Sequence, residues 1–201
     1  MLLNALEYAL MNNPIRAVVQ RRIEAERLLR LGGRVRGVAL EIGCGRGVGA
    51  EIILDTFGAE RVDAFDLDPR MIARARSRLA KRGDRARLWV GDVTRIPVPD
   101  ETYDAVFDFG IIHHVREWPR AVAEVARVVK PGGRFYAEEV LRAFIAHPVM
   151  RRLFMHPQTD RFDRAQFMAT LGAVGLKPLA SEGIGEVFAW FVAEKHKRGS
   201  A

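Results

Sequence analysis

The run Leu40-Glu41-Ile42-Gly43-Cys44-Gly45-Arg46-Gly47 joins a short apolar stretch to three closely spaced glycines. Glycines so placed let a backbone pass close to a ligand and take conformations that a side chain forbids. Acidic residues supply what such a loop would work with. Asp66 follows 19 positions after Gly47, Asp92 stands in Gly91-Asp92-Val93, and Asp108 lies in Asp104-Ala105-Val106-Phe107-Asp108-Phe109. A carboxylate at Asp66 can accept hydrogen bonds from both hydroxyls of a ribose. Asp92 can accept from an exocyclic ring amine while Val93 packs on the ring itself. Glu41, just ahead of the glycines, can orient the loop and meet a cationic tail. Taken singly, each of Asp66, Asp92 and Asp108 can also be read as a turn former or a helix cap, a reading that the spacing of all three together disfavours.

The glycine loop leaves two ligands open. Gly45, Gly47 and Ala50 satisfy the dinucleotide pattern G-x-G-x-x-G/A, so a nicotinamide-dependent reductase is one reading. Dinucleotide sites carry apolar residues where this chain has Glu41. A carboxylate there favours S-adenosylmethionine (SAM), whose methionine tail bears an ammonium group.

These residues need a scaffold that brings strand ends together. Seven strands are expected: Val38 to Ile42, Val62 to Asp66, Arg87 to Val90, Tyr103 to Phe109, Arg134 to Val140, Leu176 to Ser181 and Val187 to Ala193. Short apolar runs alternating with helical stretches specify a parallel sheet with helices on both faces. Helices are expected from about Gly47 to Phe57, after the Asp68 cap with Pro69 first, from about Glu117 to a stop at Lys130-Pro131-Gly132-Gly133, and from about Asp163 to Ala173. The last two strands have no helix between them and form a hairpin. Ahead of the sheet, Asn13 caps a helix that Pro14 begins, and Ile15, Val18, Val19, Ile23 and Leu29 recur at helical spacing, which predicts that this face lies against the core. No repeat or linker divides the chain, so residues 1–201 are read as one domain, with 1–33 a helical extension packed on or over the site.

With these motifs in place, the sequence resembles the class I SAM-dependent methyltransferases, and within them the group of ubiquinone and menaquinone biosynthesis methyltransferases. The resemblance covers Val38 to about Phe135. It rests on the glycine run, Asp66-Leu67-Asp68-Pro69, Gly91-Asp92-Val93, Tyr103-Asp104-Ala105-Val106 and Lys130-Pro131-Gly132-Gly133. It implies a Rossmann-like, doubly wound α/β sheet of order 3-2-1-4-5-7-6 with the seventh strand antiparallel. It also implies that the glycine loop holds the methionine moiety, that Asp66 binds the ribose, and that Asp92 and Val93 flank the adenine. Glu41, Gly43, Cys44, Gly45, Gly47, Asp66, Leu67, Asp92, Val93, Asp108 and Phe109 are then the cofactor-binding set. The segment Ile111-Ile112-His113-His114-Val115 is also similar to the one that follows the fourth strand in that family.

The acceptor is less legible. Phe107-Asp108-Phe109-Gly110 is not the Asn/Asp-Pro-Pro-aromatic sequence of enzymes that methylate exocyclic base amines. Base C5 methylation needs a nucleophilic cysteine, whereas the one thiol, Cys44, lies in the cofactor loop. His113 and Glu138 are candidate bases, with Glu139 the alternative to Glu138 on the other face of the strand. Adjacent histidines diverge on most backbones, and no metal is expected. The reading is methyl transfer to an O, N or C atom of a small, partly apolar molecule; an RNA or protein methyltransferase and a SAM-binding module without turnover are the rivals.

Composition bounds the partners. Hydrophobic residues make up 49% and charged residues 28%, as in ordinary globular proteins. The net charge of +7 would suit an anionic partner, but lysine appears only at Lys81, Lys130, Lys177, Lys195 and Lys197, so the excess is an arginine bias. Arg70, Arg74, Arg78 and Lys81 read as a solvated helix face. The stretch from Phe144 to Pro157, apolar and basic, reads as a lid, a lipid-facing patch or a loop on the core, which leaves peripheral membrane contact open. A single cysteine, a start without a basic region at Met1 to Ala9, and no run of roughly 20 apolar residues make the cytoplasm the expected compartment.

Overall fold

A computed structural model describes residues 13–145 and 161–197. Seven strands form one sheet: β1 (Val38–Ile42), β2 (Arg61–Asp66), β3 (Ala86–Val90), β4 (Tyr103–Phe109), β5 (Val129–Val140), β6 (Leu176–Ile184) and β7 (Phe188–Lys195). Their order is β3-β2-β1-β4-β5-β7-β6, as the resemblance implied. The pairs β1–β2, β1–β4, β2–β3 and β4–β5 are parallel, and β7 runs antiparallel to both β5 and β6. The order reverses between β1 and β4, and the crevice at the carboxyl ends of these two strands is where an open α/β sheet binds ligands.

Helices cover both faces because the strand side chains alternate. On one face, α1 (Pro14–Val19), a π-helical turn (Gln20–Glu24) and α2 (Ala25–Gly32) make a continuous rod; α3 (Val48–Ile52) ends in a second π-helical turn (Ile53–Phe57). Ala25, Leu28, Ile52 and Phe57 pack there on Ala39, Val62, Phe107 and Tyr136. The other face buries Leu40, Ile42, Val106 and Phe135 under α5 (Trp118–Val128) and α7 (Arg164–Ala173). A third cluster sets α4 (Pro69–Leu79) on Ala64 and Cys44 through Ile72 and Ala75.

Two expectations are corrected. The helix that Lys130-Pro131-Gly132-Gly133 was to stop ends at Val128, and the chain enters β5 at once. Those four residues lie within the span of β5, where the pairing with β4 shifts register between Tyr103 and Ala105 and Gly132 takes φ +78°. Val129 pairs with Tyr103 and pairing resumes only at Arg134 with Ala105, so the four residues bulge out between the two pairs one step beyond the helix end. The second correction concerns the N-terminal helix, which Asn13 does cap, its Oδ1 accepting the Arg16 N–H at 2.8 Å. Of the five residues expected to face the core, Leu29 packs on it, but Ile15 is 75% exposed, Val18 57% and Ile23 48%, so these three do not. Buried Glu24, Ala25, Leu28 and Gly32 face inward in their place. Of the Phe144 to Pro157 stretch only the start is described, as a short helix α6 (Arg142–Ile145); residues 146–157 and Met1 to Ala9 lie outside the described residues.

Phe57 is wholly buried, edge-on to Phe107 at 4.6 Å and to Tyr136 at 5.3 Å. Phe57→Ala is expected to lower stability by about 3–5 kcal/mol, the usual scale for deleting a buried ring. Urea denaturation followed by circular dichroism measures it; a loss below about 1 kcal/mol would show that this face does not hold the α3 turn to the sheet.

Candidate functional site

A cleft of about 710 Å³ opens at the carboxyl ends of β1, β2 and β4. The loop between β1 and α3 forms its floor: Gly43, Gly45 and Gly47 take φ of +66°, +51° and +81°, a region that side chains disfavour. Asp66, the last residue of β2, holds this loop. Its Oδ2 accepts the Gly45 N–H at 2.8 Å and its Oδ1 accepts the Asp68 N–H at 2.8 Å. Asp68 in turn caps α4 by accepting the Arg70 N–H at 2.9 Å. One carboxylate thus ties the glycine loop to the second wall. Each oxygen keeps a further acceptor position, as a ribose diol requires.

Glu41 is the buried group of the floor. Burial first, and the Asp66 carboxylate second, push its carboxyl well above the ordinary range. Its Oε2 is buried and makes no hydrogen bond among the described residues. Gly49 explains how it fits: a Cβ there would collide with the Glu41 carboxylate and the Phe109 ring. Close approach of α3 to β1 therefore depends on this glycine, a requirement that a G-x-G-x-x-G/A reading does not contain.

Of the eleven residues expected around a cofactor, Glu41, Gly43, Cys44, Gly45, Asp66, Leu67, Asp92, Val93 and Phe109 line the cleft. Gly47 and Asp108 do not. Gly47 sits at the N-cap of α3 with its Cα turned to α4, where a Cβ would press on Ala75 and Leu79. Asp108 is wholly buried beneath the turn after β4. Asp92 forms a local turn in which its Oδ1 accepts from the Thr94 N–H and hydroxyl, both at 2.8 Å, which leaves Oδ2 for a ligand amine.

The proposed bases are rearranged. Asp108 Oδ1 accepts the Ile111 N–H at 2.8 Å, while Glu139 accepts the Ile112 and His113 N–H groups at 2.9 and 3.2 Å. His113 Nδ1 lies 2.5 Å from Glu139 Oε2. Two strand-end carboxyls therefore hold a short 3₁₀ turn (Ile112–His114) from below. Burial raises both, Asp108 well above its ordinary range with the Glu139 charge adding to it, and Glu139 to about 7. His113 is buried in this network and does not line the cleft; His114, its neighbour, does, with Ile111 and Val115. Glu138 is likewise wholly buried, and accepts from Arg16 Nη2 at 3.2 Å. It faces the N-terminal helix and does not line the cleft.

Reading residues 1–33 as an extension on or over the site did not say which of its side chains reach the cleft. Arg16 and Gln20 line the cleft, and Arg16 also pairs with Glu24 at 2.5 Å. Arg46 of the glycine loop donates to the Asn13 carbonyl at 3.0 Å, and Arg21 pairs with Glu51 of α3. No local signal announces such contacts, since the partners lie far apart in the chain. The basic row is partly paired: Arg70 bonds Asp68 at 2.7 Å and Arg78 bonds Glu51 at 3.1 Å. Arg70 reaches the cleft rim, whereas Arg74, Arg78 and Lys81 do not line it.

The arrangement suits SAM on its own terms: an unpartnered buried carboxylate oxygen for a cation, a diol acceptor at Asp66, an amine acceptor at Asp92 and apolar Leu67, Met71 and Val93 beside it.

Comparison with known proteins agrees. A family model described as a methyltransferase domain matches residues 40–137. A probable S-adenosylmethionine-dependent methyltransferase of Mycolicibacterium smegmatis is 38% identical over 96 residues, which is 48% of this chain and 35% of that protein. Malonyl-[acyl-carrier protein] O-methyltransferase of Serratia marcescens is 35% identical over 118 residues, 58% of this chain and 44% of its own. The matched stretch thus spans less than half the length of these curated relatives. Among solved structures, PH0226 protein of Pyrococcus horikoshii superposes with a TM-score of 0.74 at 21% identity, covering 94% of each chain, a likeness of fold. Residues 40–137, which hold the glycine loop, Asp66, Asp92 and the turn after β4, match the methyltransferase-domain model and are similar to proteins named as SAM-dependent methyltransferases.

Proposed function

We propose that this chain transfers the methyl group of SAM to an O, N or C atom of a small, partly apolar molecule. The observation that carries the reading is the convergence of Glu41, Asp66 and Asp92 on one side of a cleft whose other side is Ile111, His114 and Val115. SAM, when bound, supplies a methyl group on a sulfonium sulfur, open to in-line attack. The chain's part is placement. Asp66 holds the ribose and the loop together, Glu41 meets the cationic tail, and the turn pinned by Asp108 and Glu139 presents Ile111 and His114 to the acceptor side. Effective molarity from such placement supplies much of the rate, so a strong base is not required for a reactive acceptor. An oxygen acceptor is in keeping with the O-methyltransferase name of the Serratia relative. An RNA or protein substrate finds less support, because Arg70 and Arg78 of the basic row are engaged by carboxylates of the chain itself.

Two binding measurements test the cofactor reading. SAM and its demethylated product should bind and NAD should not, and Asp66→Ala should weaken SAM by about 1.5–3 kcal/mol, the scale for losing a charged hydrogen-bond partner. Unchanged affinity by calorimetry would remove Asp66 from the site.

The pH dependence follows from Glu41. Without ligand, burial favours its protonated form. A bound cation favours the carboxylate, which lowers the carboxyl's pKa in the complex. Between the two values the affinity for SAM should rise with pH and binding should release a proton. Calorimetry in buffers of different ionisation enthalpy reads that proton directly; release that persists in Glu41→Gln would assign it elsewhere.

A further inference from the structure

The acids at the ends of β4 and β5 do not line the cleft, and two of them touch. Glu139 accepts the Ile112 N–H at 2.9 Å, the His113 N–H at 3.2 Å and the His113 ring at Nδ1, 2.5 Å away. Asp108 accepts the Ile111 N–H through Oδ1 at 2.8 Å, while its Oδ2 is buried and accepts nothing from the described residues. The two carboxyls are in side-chain hydrogen-bond contact with each other. Both are wholly buried, so solvent does not screen them, and two carboxyls in contact need a proton between them.

Which acid holds that proton follows from the donors. Three N–H groups on one carboxyl favour its ionised form, which only accepts. Asp108 has the oxygen without a donor, and an O–H there turns an orphaned acceptor into a donor to Glu139. Charge balance agrees. The Arg161 guanidinium donates to the His113 carbonyl at 2.6 Å, its Nε and Nη2 are buried without hydrogen-bond partners, and the charge it faces is that of Glu139. Glu41 faces the pair from β1, on the side of Asp108.

We propose that Asp108 and Glu139 share a single proton, carried on Asp108, and that the pair so joined is the positioning device that holds Ile111 and His114 at the acceptor side of the cleft. Asp108 fixes the first N–H of the turn and Glu139 the next two. The His113 ring, held by Glu139, lies 4.2 Å from the ring of His114, which lines the cleft. His113 is then a positioning residue and not a base. That the turn sets the acceptor's place rests on the methyltransferase reading; the proton sharing does not.

The test uses the full chain at mildly alkaline pH, where Glu139, raised to about 7, is ionised. Carbon NMR of protein labelled at its aspartate carboxyls should show one protonated aspartate, and Asp108→Asn should remove that signal. The asparagine amide replaces the O–H as donor while its oxygen still accepts from Ile111, so hydrogen exchange of the Ile111, Ile112 and His113 amides should stay within about twofold of the wild type. Glu139→Gln sets an amide NH₂ against the turn's own N–H donors, and exchange of the same amides should rise at least about tenfold. No protonated aspartate in the wild type, or one that survives in Asp108→Asn, would overturn the proposal. So would an Asp108→Asn protein whose turn loosens as much as that of Glu139→Gln, or a Glu139→Gln protein whose turn stays as protected as the wild type's. Should Glu139→Gln fail to fold, the wild-type spectrum and the asparagine variant still decide. If S-adenosylhomocysteine fails to bind the wild type, the turn's role as an acceptor wall falls while the spectrum still decides the shared proton.

Discussion

The hydrogen bonds that Asp66 makes at 2.8 Å to the Gly45 and Asp68 N–H groups decide where everything else in the cleft can be. A glycine loop with left-handed residues has no intrinsic reason to keep one shape, because glycine loses more conformational freedom on ordering than any other residue. The carboxylate at the end of β2 imposes that shape from outside and at the same time positions the residue that caps α4. The cost is a half-buried acid, its pKa raised by burial and partly restored by those same backbone donors. Glu41 sits close enough to feel that charge, and its own elevated pKa follows in part from it. A cleft holding two interacting acids before any ligand arrives is electrostatically prepared for a cation.

The turn after β4 repeats the same physics one strand further along. Three successive N–H groups, from Ile111 to His113, point at two strand-end carboxyls. Each acid does more structural work than its exposure suggests, and none of Asp108, Glu138 or Glu139 opens into the cleft. Carboxylates at strand ends are thus of two kinds here: Glu41 and Asp66 of β1 and β2 line the cleft, whereas Asp108, Glu138 and Glu139 of β4 and β5 are closed off beneath the turn and the N-terminal helix.

That division is what the sequence could not show. Strand positions and the Asp68 helix cap were legible from local periodicity and capping chemistry, the sheet order followed from the family resemblance, and nine of the eleven residues expected around a cofactor do line the cleft. The direction of a side chain at a strand end was not legible. Glu138 and Glu139 differ only in which face they occupy, and reading one as the base required knowing that Arg16 covers one face and His113 the other. The same holds for the histidines, where one residue's shift along a short 3₁₀ turn exchanges the buried ring for the one in the cleft.

The N-terminal helix shows how a periodic pattern can be real and still be read inside out. Its inward residues are Arg16, Gln20, Ala25, Leu28 and Gly32, with a step of five between Gln20 and Ala25 where the Ala25 N–H reaches back to the Gln20 carbonyl. A π-helical turn absorbs the extra residue and keeps both halves facing the protein. The half over the cleft must be polar because it meets Glu138 and a ligand site; the half over the sheet must be apolar because it meets Tyr136 and Val192. Counting only apolar residues at a single period therefore selects Ile15, Val18 and Ile23, which the first half turns outward. A bundle of hydrophobic side chains facing water beside a polar inner face is the reverse of what a core helix needs.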